Sequence, residues 1–476
     1  MKRAMAYPVV LLLLAVPFAR ASSVARAQTQ VHHTVVAASG DAAPAGGNYA
    51  RLLSVDMNPR GQVAFDAFLL GPSRSGVFVG DGRTTSTIAL GGNPDPAAGN
   101  FGFVSNPFIT PQGRVVFNVD DIETFRSKGG TAVPLVQDGD PAPGGGTLSP
   151  FGGQSRAVNA RGTIAFLASV LDSTATQGVF RTDGVHTVAI ARDDTAPPTG
   201  GTFEFFSTPA INSRGQVAFF APTIGGTADF GVFRGDGGDL TPVFVTNQVA
   251  PGGGIFQDFG DPLINEHGQV EAAASLVSNG APGAGLFVGD GKDAVAIELE
   301  GQAAPKGGTY TDRLFQPVRF NDRGEVAFLI GLRGGTSDAG IFRGDGRHTT
   351  TVALKGTIAP GTTGTFASFG DIVLGVDGQV AFIATLTIGV GGVDTTNNAG
   401  IWVGRSEADL RLVVRTGDLI GGRALTSLPR QFGQFDIDQN GVAWVGGFPA
   451  GATAVILSRI GGADEHDQPD AVHEGQ

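Results

Sequence analysis

The chain has 476 residues, no cysteine and a formal net charge of −12. Without cysteine it forms no disulfide bond and offers no thiolate for nucleophilic or metal chemistry. The negative charge argues against nucleic acid or an anionic membrane surface as a partner. Glycine accounts for 75 residues, far above the usual ~7%. These glycines fall at predicted turns and not at every third position, so a collagen-like chain is excluded.

The first segment has the pattern of a secretory signal peptide. An apolar run from Pro8 to Phe18 follows two basic residues, and cleavage sites with small residues end at Ala21 and Ala27. The run is too short for a helix that crosses a hydrocarbon core of ~30 Å. We therefore expect residues 1–27 to be removed and the mature protein, without a membrane span, to be secreted or periplasmic.

A motif then recurs about every 50 residues as far as the C-terminal region. One copy reads Asn212-Ser213-Arg214-Gly215-Gln216-Val217-Ala218-Phe219, so the consensus is Asn-x-x-Gly-x-x-Ala-Phe. Asparagine suits the first position of a tight turn because its side chain bonds the following backbone, and glycine accepts the positive φ of the last position. The eight copies are marked by their turn glycines, which are Gly61, Gly113, Gly162, Gly215, Gly268, Gly324, Gly378 and Gly441.

Some copies depart from the consensus. Thr110 and Gly375 replace the turn asparagine, and Glu271-Ala272 replaces Ala-Phe. The last copy is one residue shorter before its aromatic residue, Trp444. Atypical terminal copies are expected in repeat proteins.

The copy around Asn212 predicts four strands, two on each side of a loose connection. Asp236-Gly237 is expected to close the hairpin between the last two strands, because Asp-Gly supplies the positive φ values of a two-residue loop. An Ala-Pro-Gly segment then leads to the next copy. The predicted strands are A (202–211), B (216–220), C (231–234) and D (241–245).

Four strands per copy match a β-propeller blade, with an open solenoid as the alternative. The ends of the repeat region favour the closed ring. Residues 33–38 resemble a strand D with no preceding A, B or C, whereas the last copy has A, B and C but no D. A ring closed in this way leaves no open sheet edge.

We therefore predict an all-β, eight-bladed β-propeller of four-stranded antiparallel blades, in which an N-terminal strand completes the last blade. This single domain would span residues 28–462 and act as a monomer. The segment 463–476 is acidic and lacks large apolar residues, so a disordered tail is predicted there.

The repeat resembles that of bacterial exported proteins with tandem NxxGxxAF motifs, which are often grouped by alternative C-terminal surface anchors. Eight copies carry the resemblance through nearly the whole mature chain. The resemblance implies export and a repeat fold, and it implies no particular activity. No apolar helix with a basic end follows Ile460, so we expect release or periplasmic residence and not surface attachment.

Aspartates recur in the connection from strand D to the next strand A, and they are Asp41, Asp140, Asp194 and Asp418. If these connections approach the axis, the carboxylates could bind a cation or a sugar. The alternative is that each side chain caps its own turn. That interpretation is favoured because Gln248, Gln302 and Thr357 occupy the same position in other copies.

Asp436, Asp438 and Asn440, followed by Gly441, match the first half of a calcium-binding loop. The glutamate that should close such a loop is replaced by Gly447, and the segment coincides with an A–B turn. We predict no cofactor, with Ca²⁺ at this loop as the alternative.

The varied B–C and D–A connections should leave one face of the ring and the short A–B and C–D turns the other. A ligand site is expected on the varied face, near the channel. No sequence signature of catalysis is recognised. We therefore expect a module that binds a protein or polysaccharide, or has a structural role, at the cell envelope or outside the cell.

The alternative function is an extracytoplasmic hydrolase or lyase that acts on polysaccharide with carboxylates at the channel. Two carboxylates beside an Arg or His, with shifted pKa values, would favour the enzyme. An exposed apolar patch would favour a macromolecular partner.

Overall fold

Eight antiparallel sheets follow one another along the chain in the computed structural model. It describes residues 31–44, 46–94, 99–128, 131–152, 155–278, 281–429, 433–439 and 441–461. Each sheet is one blade with strands A to D in sequence order, and strand A of blades 3, 4 and 5 is split into two pieces.

The strands, in chain order, are β1 (Val31–Ala38), which belongs to blade 8; β2 (Asn48–Met57), β3 (Val63–Leu70), β4 (Ser75–Gly80) and β5 (Thr85–Leu90) in blade 1; β6 (Val104–Ile109), β7 (Val115–Val119), β8 (Glu123–Lys128) and β9 (Thr131–Val136) in blade 2; β10 (Thr147–Pro150), β11 (Arg156–Val158), β12 (Ile164–Leu171), β13 (Gln177–Thr182) and β14 (Thr187–Arg192) in blade 3; β15 (Thr202–Phe203), β16 (Ala210–Ile211), β17 (Val217–Ile224), β18 (Phe230–Gly235) and β19 (Thr241–Val245) in blade 4.

The second half continues with β20 (Ile255–Phe259), β21 (Leu263–Ile264), β22 (Val270–Ser278), β23 (Ala281–Gly289) and β24 (Ala294–Leu299) in blade 5; β25 (Thr309–Phe320), β26 (Val326–Arg333), β27 (Ala339–Gly344) and β28 (Thr349–Leu354) in blade 6; β29 (Phe366–Leu374), β30 (Val380–Leu386), β31 (Ala399–Gly404) and β32 (Arg411–Arg415) in blade 7; a separate hairpin, β33 (Leu419–Ile420) and β34 (Arg423–Ala424); and β35 (Phe435–Asp438), β36 (Gly441–Gly447) and β37 (Thr453–Ile460) in blade 8, with a 3-10 turn at Pro449–Gly451.

The two ends of the repeat region close the ring. β1 pairs antiparallel with β37, from Val31 opposite Ile460 to Ala38 opposite Ala454, and becomes the outermost strand of blade 8. The predicted eight blades and their closure are therefore confirmed. In the part of the chain that the structure describes, no helix has the length and apolar character needed to cross a membrane. The predicted signal peptide and the tail at 463–476 lie outside the described residues.

The hairpin between strands C and D differs from the prediction. Residues 236–240 separate β18 from β19, and of the Asp-Gly pair only Gly237 has a positive φ. In the equivalent turn of blade 1, Oδ1 of Asp81 accepts the backbone N–H groups of Arg83 and Thr84 at 2.8 and 2.9 Å. The aspartate thus caps a longer turn through its side chain, and the predicted two-residue loop is wrong.

The motif asparagine stabilises its own turn and the contact with the next blade. Oδ1 of Asn212 accepts the backbone N–H groups of Arg214 and Gln216, while Nδ2 donates to the carbonyl of Asn265 at 3.0 Å. Asn265 is the equivalent residue of the following blade. The same donation, over 2.8–3.4 Å, joins Asn58 to Thr110, Asn159 to Asn212, Asn265 to Asn321 and Asn321 to Gly375.

The motif glycine is required for two reasons. Gly215 has φ +81°, which L side chains rarely adopt, and a Cβ there would lie 2.0 Å from Nη1 of Arg181 in the preceding blade. Arg181 donates to the Gly215 carbonyl at 2.7 Å, and Arg126 donates in the same way to Gly162. Each motif turn therefore also receives an arginine from its neighbour in these blades.

The cores lie between successive blades. In blade 4 the motif ring of Phe219 lies 5.8 Å from Phe233 of strand C, centroid to centroid, and Phe203 of strand A meets Phe233 edge-on at 5.4 Å. In blade 3 the motif alanine, Ala165, and the residue after the motif aromatic, Leu167, pack into the apolar cluster shared with blade 4. Side chains alternate along a strand, so these two positions of strand B face the next blade.

Candidate active site

The four aspartates predicted to bind a ligand are Asp41, Asp140, Asp194 and Asp418. Each follows the outermost strand of its blade. Asp41, Asp140 and Asp418 accept the backbone N–H three residues earlier, at 3.2, 2.9 and 2.7 Å, and Asp194 pairs with Arg192 at 3.1 Å. Gln302, in the same position, accepts an equivalent backbone N–H at 3.1 Å. These contacts are those of the turn-capping interpretation.

The predicted calcium loop begins on β35. Oδ1 of Asp438, which stands in the position of the motif asparagine, accepts the N–H of Gly441 at 3.1 Å. Asn440 lies outside the described residues. Within the residues that the structure describes, no three His, Cys, Asp or Glu side chains form a group able to hold a metal ion. Calcium binding by this loop stays a prediction.

Asp436 instead belongs to a site at the axis of the ring. Strand A packs beside strand A of the next blade around most of the ring, including blades 6, 7, 8 and 1, so these strands form the inner edges of the blades. Oδ2 of Asp436, in blade 8, accepts the N–H of Met57 in blade 1 at 2.9 Å, and Oδ2 of Asp56, in blade 1, accepts the N–H of Ile109 in blade 2 at 2.6 Å. The carboxyl group of Asp436 also lies close enough to that of Asp56 to raise its pKa.

An arginine and a third aspartate extend this pair. Nη2 of Arg319, in blade 6, lies 3.2 Å from Oδ1 of Asp371 in blade 7, and the two side chains are 22% and 18% exposed. Arg319 also attracts the carboxylate of Asp436. Asp56, Arg319, Asp371 and Asp436, which we call the axial cluster, therefore come from four consecutive blades.

The carboxyl groups of the axial cluster hold protons more tightly than usual. Loss of hydration raises the pKa of Asp56 well above its ordinary value, and the neighbouring Asp436 raises that pKa further. Burial raises the pKa of Asp436 to about 6, against the opposing effect of the N–H groups of Met57 and Ile437 and of the Arg319 charge. Burial also raises the pKa of Asp371, and Arg319 opposes this. The pKa values of both carboxyl groups in this pair are therefore shifted toward neutral pH or above it.

The axial cluster lies near the face with the short turns. Asp56 and Arg319 stand two residues before the turn asparagines Asn58 and Asn321, at the end of strand A that leads into the A–B turn. We expected a ligand site on the opposite face, which carries the varied loops, so the axial cluster is not the site that was expected there. Sequence reasoning missed Asp56, Arg319 and Asp371. The one indication in the sequence was that each is a charged residue in a predicted strand A. The pairing of strands within a blade does not show which of these side chains come into contact between blades.

Comparison with solved structures gives distant likenesses. An oligogalacturonate lyase in complex with manganese is 11% identical, with a TM-score of 0.41, over 91% of this chain and 98% of the other. The β-propeller domain of a trilobed protease from Pyrococcus furiosus is 12% identical, with a TM-score of 0.40, over 78% of this chain and 100% of the other. A polysaccharide lyase is 9% identical, with a TM-score of 0.33, over 91% and 99%.

No curated protein sequence matches the chain. A family model matches residues 15–124 and 119–448, which together cover most of the sequence. The chain therefore belongs to DUF7453, a family of unknown function.

Proposed function

We propose that this protein is an exported binding module that holds a carbohydrate at the axial cluster. The observation that carries the proposal is the meeting of Asp56, Asp371, Asp436 and Arg319 from four consecutive blades at one end of the axis. Polar side chains that converge from several elements while they remain partly open to solvent are typical of ligand sites. Export rests on the signal-peptide pattern of residues 1–27.

The chemistry of the axial cluster suits hydroxyl groups. Carboxylates accept hydrogen bonds, the protonated carboxyl of the pair donates one, and the Arg319 guanidinium donates several. A sugar ring presents donors and acceptors together, so it can satisfy both kinds of group. The net charge of −12 and the three aspartates disfavour acidic sugars. A neutral or amino-sugar polysaccharide is therefore the proposed ligand class.

The test is titration of the mature chain, residues 28–476, with neutral, amino and uronic oligosaccharides by isothermal titration calorimetry. We expect binding of neutral or amino oligosaccharides, and a loss of tenfold or more in Asp436→Asn. Asp140→Asn is the matched control, because Asp140 lies in an outer connection, and it should bind as the wild type does. The proposal would be refuted if only uronic oligosaccharides bound, or if none of the sugars bound. An equal loss of affinity in Asp436→Asn and Asp140→Asn would refute it too.

A second candidate is acid–base hydrolysis of the same polysaccharide. The specific observation in its favour is the neighbouring carboxyl pair of Asp56 and Asp436, in which burial raises the pKa of Asp436 to about 6. One member of such a pair can donate a proton while the other accepts one, a contribution of typically 10²–10⁴-fold. Release of reducing ends from the bound oligosaccharide measures this activity. We expect Asp56→Asn to reduce product release far more than it weakens binding, and the absence of any product in the wild type would leave binding as the function.

A further inference from the structure

A cavity of about 340 Å³ lies between blades 5 and 6, away from the axial cluster. Ala273 of strand B and Glu298 of strand D line it from blade 5, and Asp312 and Ile330 line it from blade 6. Asp258, from strand A of blade 5, also borders it. The side chains of Asp258 and Asp312 are exposed, so the acidic groups continue from the interior to the surface.

The cavity follows from substitutions in one copy of the repeat. The residue after the motif aromatic faces the next blade and is Leu167, Phe220, Leu329, Ile383 or Val445 in five other copies. In blade 5 this residue is Ala273, which leaves space that the larger side chains would fill. Glu298 pairs with Leu286 of strand C in the register in which Ala191 pairs with Val179 in blade 3. Blade 5 therefore combines a gap with a carboxyl group.

Glu298 carries a buried carboxyl oxygen that accepts no hydrogen bond from the residues that the structure describes. Its side chain is 2% exposed, and Oε1 is bonded to nothing among the described residues. The hydroxyl of Tyr310, whose pKa the Glu298 carboxylate helps to raise, is likewise buried without a partner in that part of the chain. A buried polar group without a hydrogen-bond partner destabilises the fold. Such a group at the wall of a cavity is the natural contact for a ligand.

We propose that this cavity binds a small organic cation, an alkylammonium compound, with the ammonium group on Glu298 and the alkyl part along Ala273 and Ile330. Ala273 and Ile330 give the cavity an apolar side along which an alkyl chain can lie, and no trio of metal-ligating side chains occurs among the described residues. The exposed Asp258 and Asp312 and the net charge of −12 attract cations to the entrance.

Binding of a cation should displace a proton from Glu298. Burial raises the pKa of Glu298 to about 8, and the nearby Glu300 adds to this effect. Without a cation beside it, this carboxyl group is therefore mostly protonated at pH 7. An ammonium group beside it favours the ionised form, so close to one proton leaves the protein for each cation bound. A neutral ligand in the same cavity would release none.

The experiment is isothermal titration of the full mature chain at pH 7 with n-hexylammonium chloride, in two buffers with different ionisation enthalpies. The difference between the two measured enthalpies gives the number of protons released. 1-Hexanol has the same alkyl length without the charge. We expect saturable binding of hexylammonium with release of about one proton, and binding of hexanol at least tenfold weaker.

Variants separate Glu298 from the other buried glutamate of the same blade. Glu298→Gln should weaken hexylammonium binding tenfold or more and abolish proton release. Glu271→Gln should leave both unchanged, because Glu271 is equally buried but does not line the cavity. Ala273→Leu keeps Glu298 and should prevent binding by filling the cavity. Thermal denaturation of each variant confirms that it is folded.

Three results would overturn the proposal. They are no saturable binding of hexylammonium, binding of hexanol as tight as that of hexylammonium, and an equal loss of affinity in Glu271→Gln and Glu298→Gln. Asp436→Asn should leave hexylammonium binding unchanged. The test of this cavity is therefore independent of whether the axial cluster binds a carbohydrate.

Discussion

The interface between blades 3 and 4 differs sharply from that between blades 5 and 6. In blade 3, Ala165, Leu167 and Ala191 face the neighbouring blade within an apolar cluster. The equivalent residues of blade 5 are Glu271, Ala273 and Glu298, and both glutamates are 2% exposed. The backbone pairing is nevertheless the same.

The turns explain why both interfaces keep the same geometry. Asn159 donates to the carbonyl of Asn212 at 2.8 Å across the first interface, and Asn265 donates to that of Asn321 at 3.4 Å across the second. The hydrogen bonds at the end of each blade thus stay constant while the facing side chains change. A blade of this ring can therefore carry polar groups on its face without losing its position.

The strongest test transfers the acidic residue to the apolar interface. Ala165→Glu places a carboxyl group at a position with 0% exposure, inside the apolar cluster between blades 3 and 4. We expect the free energy of unfolding to fall by roughly 3–5 kcal/mol, because the group is desolvated and overpacks the core. Urea denaturation at pH 7 measures this. Ala165→Ser is the small polar control and should lose about 1 kcal/mol; equal stability of Ala165→Glu and wild type would show that the two interfaces are alike.

The reverse change should alter the pH dependence of stability. Burial raises the pKa of Glu271 to about 8, from an ordinary value of 4.5. Between these values the folded protein binds more protons than the unfolded chain, so the free energy of unfolding falls as pH rises. Each such group contributes about 1.4 kcal/mol per pH unit. Glu271→Ala, which restores the alanine of other copies, should lower the slope by that amount and increase stability at pH 8.

Urea denaturation at pH 5, 6, 7 and 8 measures the slope. Glu204→Ala is a matched control on blade 4, because Glu204 is exposed, and its slope should equal that of the wild type. An unchanged slope in Glu271→Ala would mean that Glu271 is ionised in the folded protein.

The hydrogen bonds at the blade ends should matter equally at both interfaces. Asn159→Ala and Asn265→Ala each remove two accepted backbone hydrogen bonds and the donation to the next blade. We expect a loss of roughly 1–3 kcal/mol in each, because buried backbone groups are left unpaired. Asn159→Asp keeps the accepted bonds and should lose less. A loss confined to one of the two positions would contradict the constant role of the turns.

The smallest effect is expected at the outer connections. Asp140→Ala removes the side chain that accepts the N–H of Gln137 at 2.9 Å. A loss of about 1 kcal/mol is expected for one turn cap, and Asp140→Asn should retain most of the stability because it keeps an acceptor oxygen. Thermal denaturation measures both. A loss as large as that expected in Asn159→Ala would show that these aspartates do more than cap their turns.

The sequence predicted the ring because local signals repeat. Motif turns, apolar strands and the incomplete copies at the two ends specify eight blades and their closure, since each signal acts within a few residues or by simple complementarity. The axial cluster was not predictable in this way. Whether the side chain of Arg319 contacts that of Asp371 depends on how one blade is rotated relative to the next. No local sequence pattern encodes this rotation. Glu271 was visible as a departure from the motif, but its burial became evident only from the packing.

The pairing of β1 with β37 has a consequence for biosynthesis. His33 and Ser458, hydrogen-bonded at 2.8 Å, are separated by 425 positions in the sequence. β1 is synthesised before the other strands, but it can form its hydrogen bonds only after β37 has been synthesised. Until translation is complete, both edges of the unfinished ring can pair with other chains. A prematurely terminated product should consequently be prone to aggregation, and a chaperone that shields β1 would act on the nascent chain.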